Sequence, residues 1–141
     1  MAINTGKVLQ GGLLAGLVFN VGDFLNNYLL VGKDFTANAT RLGLDPAVAE
    51  SGAAIASWVV IDFLLGIVVV WTYAAIRPRF GPGVKTAIYA GLIPFFSIAL
   101  IIFGFVQSGY FTMPIYVKML LASLVITSAG AVAGAWAYKE S

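Results

Sequence analysis

The sequence contains neither cysteine nor histidine. The first absence excludes disulfide and thiolate chemistry. The second removes the commonest metal ligand, general base and pH switch together. Charge is also scarce, at 10% of residues, where a soluble domain is nearer a quarter. No glycine-rich phosphate loop follows a strand, no serine sits beside a base, and no metal-spaced ligand set occurs. The few basic residues flank apolar runs and form no soluble face, which argues against nucleic acid as a partner. The expectation is a protein that is not an enzyme and uses no cofactor and no metal.

What the chain has in quantity is apolar surface. Hydrophobic residues make up 60% of its 141 positions and mean hydropathy is +0.95. That composition places it with integral membrane proteins, as a single membrane domain spanning residues 1–141. Four apolar segments emerge, at about residues 8–31, 53–76, 86–107 and 116–138. Each is near the roughly 20 residues a helix needs to cross a bilayer. None shows the polar alternation of barrel strands, so the predicted fold is all-α, a four-helix transmembrane bundle. Lys7 and the first run resemble a signal peptide, with Ala37-Asn38-Ala39 as a cleavage site. The run is about twice as long as a signal core, so the expectation is a retained span.

The connectors carry recognisable punctuation. Asp45-Pro46 reads as an N-cap with a first-turn proline, a possible start for the second helix. RPRFGPGVK, residues 77–85, reads as a tight hairpin loop, and Pro94 as a kink in the third helix. The connector at residues 32–52 is expected to hold a short helix lying on the membrane surface. Four spans put both termini on the side of the 77–85 loop, with Lys7, Arg77, Arg79, Lys85 and Lys139. The other side has Lys33, Arg41 and Lys118, with Asp34, Asp45 and Glu50 nearby. The excess of cations predicts that both termini are cytoplasmic. Arg77, Arg79 and Lys85 are then expected to face headgroups, as a positive-inside anchor or as phosphate ligands.

The first span poses the sharper question, because GLVFNVGDFLNNYLL combines lipid solubility with Asn20, Asp23, Asn26 and Asn27. At about 100° per residue, Gly12, Gly16, Asn20, Asp23 and Asn27 fall within roughly 80° of one another. Asn26 is expected to point elsewhere, toward the headgroups. On the second helix Ser51, Ile55, Trp58, Asp62, Val69 and Tyr73 share a face, and Asp62 lies at a depth similar to Asp23. An intramembrane carboxylate costs about 2.5–3.5 kcal/mol and is expected to face the bundle interior. No cation lies deep enough to pair with either Asp. A protonated carboxyl, donating to an Asn carbonyl or to Tyr73, or a bound cation is therefore expected.

Two readings of Asp23, Asp62, Asn20 and Asn27 follow, a hydrogen-bonded clamp between helices or a proton or cation site. Gly12 and Gly16, with Gly130 and Gly134 on the fourth helix beside Ser123, Thr127 and Tyr116, read as helix-packing positions. Tyr89, Phe96, Leu100, Phe103 and Gln107 form an aromatic stripe on the third helix, expected to meet lipid or core.

GLLAGLVFNVGDFLNN, residues 12–27, and WTYAAIRPRFGPGVKTA, residues 71–87, resemble a group of small four-span bacterial membrane proteins of unassigned function. The resemblance covers the first two-thirds of the chain. It implies the bacterial cytoplasmic (inner) membrane and no particular activity. Small multidrug-resistance pumps differ in having a Glu in helix one, where this chain has Asp23. The expected function is that of an accessory or structural subunit in the lipid bilayer, packing against partner helices or further copies as an oligomer. The alternative is an oligomeric proton- or cation-coupled transporter or channel using the Asp pair.

Overall fold

A computed structural model describes residues 3–139, and among them every regular element is helical. Helix α1 (Thr5–Asn26) passes through a π-helical turn at Asn27–Val31 into α2 (Gly32–Arg41). A one-turn helix, α3 (Pro46–Ala49), precedes α4 (Gly52–Phe80), α5 (Val84–Gln107) and α6 (Met113–Ala137). Four continuous helices are long and apolar enough to cross a membrane: Thr5–Arg41, Gly52–Phe80, Val84–Gln107 and Met113–Ala137. Helices satisfy their own backbone hydrogen bonds, which lipid cannot do for them.

Three boundaries differ from those read in the sequence. The first helix does not stop at residue 31, because the π turn absorbs one extra residue and lets the chain continue helically. The segment expected to lie as a separate surface helix is therefore the last ten residues of a 37-residue helix. Asp45 does cap a helix, accepting from Ala47 N–H at 2.9 Å, but that helix is the short α3. α4 starts afresh at Ser51, whose hydroxyl accepts from Ala54 N–H. The 77–85 loop is also shorter than expected. α4 runs on through Pro78, and Gly81 ends it with φ 79° while donating to the Arg77 carbonyl. A glycine just past the last turn supplies that left-handed conformation without steric cost. α5 likewise continues through Pro94, which offers no N–H to the carbonyl one turn back.

The helices form a ring in the order α1, α4, α5, α6, with α6 packed back on α1. Close approach is a matter of glycine. A Cβ on Gly12 would stand 2.7 Å from Ile67 Cα, and one on Gly16 2.6 Å from Phe63 Cα. Facing them, a Cβ on Gly66 would strike the Gly12 carbonyl and stand 2.5 Å from Gly16 N. On the other side of α1, Gly11 meets the Gly134 carbonyl, and Gly130 meets the Phe19 ring. Gly12, Gly16, Gly130 and Gly134 thus face neighbours within the same chain, and lateral association has to use other surface.

Burial is uneven along the membrane normal. The main core joins Val8, Ala15, Val70, Tyr73, Ala74, Ala87, Ala90 and Tyr138, all toward the end that holds both chain ends and the α4–α5 turn. A smaller cluster of Phe19, Val69 and Ala131 lies next to it. Beyond Asp62, α4 loses its cover, and every residue from 55 to 61 is exposed. Seven consecutive residues make nearly two helical turns, so no face of that stretch is buried, and its link to α1 is the Asn20 amide on the Val59 carbonyl.

Candidate functional site: a carboxyl pair at the edge of the packed core

α1 and α4 run antiparallel, in register through Gly12 with Ile67 and Gly16 with Phe63. Helical side chains lean toward the N-terminus of their own helix. In antiparallel neighbours those leans converge, and that is how Asp23 and Asp62 meet although their backbones lie at different heights. The two carboxyl groups lie within hydrogen-bonding reach of each other. A bond between two carboxyl groups requires one proton on the pair, since a carboxylate has no hydrogen to donate. Asp62 is 6% exposed, whereas Asp23 opens to the lateral surface.

Asn20 completes the link between the helices. Its amide donates to the Gly16 carbonyl in its own helix at 2.9 Å and to the Val59 carbonyl of α4 at 3.3 Å. Asn27 does not join this group. It lies one turn farther out, exposed, in the π turn, with its side-chain oxygen beside Gly32. Asn26 is the reverse case. It shares a face with Gly22, whose added Cβ would stand 2.8 Å from Ile126 of α6, and its side-chain carbonyl is buried without a hydrogen-bond partner. It therefore looks into the α1–α6 contact and not toward the headgroups. A helical wheel puts Asn26 on the Gly22 face but does not say which neighbour that face meets.

Tyr73 is not a partner for the pair. It lies eleven residues from Asp62 along α4, about 16 Å, and its hydroxyl accepts from Gly83 N–H at 3.2 Å. Its ring meets Tyr138 edge-on, and Arg77 lies over the Tyr138 ring at 5.9 Å. Lys85 lies over Tyr89 and Lys139 over Trp136, while Arg79 is exposed. Of the predicted face on α4, Asp62, Val69 and Tyr73 are buried, but Ile55 and Trp58 are 54% and 65% exposed. Tyr89, Phe96, Leu100 and Phe103 on α5 lie on the outside of the bundle.

Depth follows from helix rise. Asp23 is sixteen residues beyond Lys7, about 24 Å, whereas Asp62 stands beside Gly16, nine residues beyond Lys7, about 14 Å. A hydrocarbon core is about 30 Å thick, so Asp23 sits in the far half of it and Asp62 near its middle, with their side chains converging between. Among the described residues no third acidic side chain joins the pair to make a metal-holding group. No protein-family model, curated protein or solved structure matches this chain.

Proposed function

We propose that this chain is a non-enzymatic accessory or structural subunit of a larger membrane assembly, in the bacterial cytoplasmic membrane with both termini on the cytoplasmic side. The observation that carries the reading is Asp23, an acidic residue exposed on the lateral surface in the far half of the membrane. Apolar side chains facing lipid cost nothing, but a carboxyl group there is unfavourable whether charged or not. A neighbouring helix that covers it removes that cost. Little of the chain lies outside the membrane to serve another purpose. Mild extraction from the native membrane followed by native mass measurement tests this. A particle containing further chains is expected, and a strictly monomeric one would sink the proposal.

The cytoplasmic placement of the termini is supported by the five cations Lys7, Arg77, Arg79, Lys85 and Lys139 at one end. Single cysteines in place of Ala2, Glu50 and Ser108 give the check. An impermeant maleimide added to intact cells is expected to label positions 50 and 108, and position 2 only after the membrane is opened. Labelling of 2 with protection of 108 would invert the orientation.

The Asp23–Asp62 pair favours a second reading, proton- or cation-coupled transport by an oligomer. One substitution separates the two. With a clamp, Asp23→Asn keeps folding and assembly, because an amide preserves most of the hydrogen bonding. With a transport site, the same change leaves the thermal midpoint intact and abolishes flux in proteoliposomes. We expect no flux from the wild type for any cation tested. Coupled flux that Asp23→Asn removes would install the transport reading instead.

A further inference from the structure

On the accessory-subunit reading, we infer that the uncovered face formed by Ile55, Trp58 and Asp62 of α4 with Asp23 of α1 receives one transmembrane helix of another protein, carrying a Lys or Arg in the far half of its span.

Three observations converge on that occupant. First, Ile55, Trp58 and Asp62 share one helical face, yet burial stops at Asp62 and the two outward residues are 54% and 65% exposed. The face is continuous with the packed interior and lacks only a neighbour. Second, Asp62 is 6% exposed and faces another acid, and among the described residues no cation lies beside either. Intramembrane acids are ordinarily matched by a cation or a donor on an adjoining helix. Third, Trp58 stands one turn from Asp62 on the same face, so a side chain reaching the carboxyl group passes an indole ring, which also attracts cations.

The same observations disfavour a second copy. All eight Lys and Arg residues, at positions 7, 33, 41, 77, 79, 85, 118 and 139, lie in the α2 segment, within two turns of the other helix ends or beyond them. None is within nine residues of Asp23 or Asp62 along the chain. Copies inserted in one orientation bring identical residues to identical depth, so a second copy adds two more carboxyl groups and no cation. Lipid tails supply neither charge nor donor. A foreign helix with a basic residue supplies both, and one cation between two carboxyl groups that hold a single proton makes a neutral set.

The test uses the full chain in lipid nanodiscs and synthetic Leu/Ala host helices carrying an acceptor dye. One host has a single Lys about 8 Å from the outer end of its apolar span, one has Leu there, and one has Glu. Energy transfer is expected to give the Lys helix an affinity at least about tenfold above the Leu helix, with Glu weakest. In the Asp23→Asn, Asp62→Asn double variant the Lys advantage is expected to fall below about twofold. The comparison among peptides leaves the protein unchanged, so it stands even where the double variant folds poorly. A Lys helix that binds no better than the Leu helix overturns the inference. So does energy transfer between two labelled copies of the chain that the Lys helix does not reduce, since the face then belongs to a second copy. Failure here beside a hetero-complex in the native mass measurement removes the basic helix and leaves the accessory reading standing. A monomer in that measurement removes both.

Discussion

Gly66→Leu is expected to leave no folded bundle. A Cβ at this position would overlap the Gly12 carbonyl and stand 2.5 Å from Gly16 N and 2.9 Å from Gly16 Cα. All three are backbone atoms of α1, so no rotamer change relieves the contact and the helices must separate. Separation opens the Gly12–Ile67 and Gly16–Phe63 contacts and lengthens the Asn20–Val59 hydrogen bond. Overpacking a core by a methylene or so costs about 1–3 kcal/mol, and a leucine wedged between backbones belongs above that range. Gly66→Ala is the milder form, expected to lose about 2 kcal/mol. Gly104→Leu is the control, since nothing lies within 4 Å of its added Cβ. That change is expected to stay within about 0.5 kcal/mol. Unfolding in mixed micelles, followed by circular dichroism against the SDS fraction, ranks the three. Equal midpoints for Gly66→Leu and Gly104→Leu would falsify the glycine contact as the basis of the α1–α4 pairing.

Gly12 and Gly16 were legible in the sequence because an i, i+4 pair of small residues is a local pattern. Gly66 was not, since its role depends on which residue of α1 stands opposite, and register between distant segments leaves no local trace. The four spans were legible for a similar reason, because hydropathy is summed over a window and needs no partner. Their ends were less so. Arg77, Pro78 and Arg79 read as loop by composition, yet they form the last turn of α4, where carbonyls lack partners anyway and cations are favoured.

The candidate site divides along the same line. Asp23 and Asp62 were expected at matched depth; their backbones differ in height by about two turns, and the side chains of antiparallel helices lean toward each other to bring the carboxyl groups together. Asn27 shares the Asp23 face but stands one turn farther out, and a wheel discards height. Tyr73 likewise shared a face with Asp62 but not a height. The exposure of residues 55–61 had no signal at all. Lipid-facing and partner-facing helix surfaces are equally apolar, so composition does not distinguish them.

The other large effect is expected at the opposite end of the molecule, from Asn38→Leu. α2 is held over the α5–α6 turn by a small polar latch. Asn38 is 6% exposed and its amide donates to the Tyr110 carbonyl at 3.0 Å. Its side-chain oxygen accepts from Nε and Nη2 of Arg41, and Arg41 in turn donates to the Gly109 carbonyl at 2.8 Å. Leucine occupies a similar volume but makes none of these bonds, leaving the Tyr110 carbonyl without the Asn38 amide and one Arg41 acceptor missing. Arg41 Nη2 still reaches the Tyr110 carbonyl at 3.3 Å, so the loss is that of the Asn38 bonds themselves, about 1–3 kcal/mol with a charged partner among them. The Lys118–Asp34 ion pair at 2.6 Å joins the same elements, but both side chains are partly solvated, at 49% and 35% exposure. Such a pair contributes about 0–1 kcal/mol and does not hold α2 by itself. The loss is local, because the glycine contacts and the main core lie at the other end. Backbone amides of residues 36–41 are therefore expected to lose roughly tenfold to a hundredfold in hydrogen-exchange protection, while those of residues 66–74 stay as they were. Asp34→Asn, removing only the ion pair, is expected to change protection of α2 by less than about fivefold. Unchanged exchange in α2 of the Asn38→Leu protein would mean that Phe35 packing edge-on against Phe111 holds the segment instead. Phe35→Ala would then be the variant that releases it.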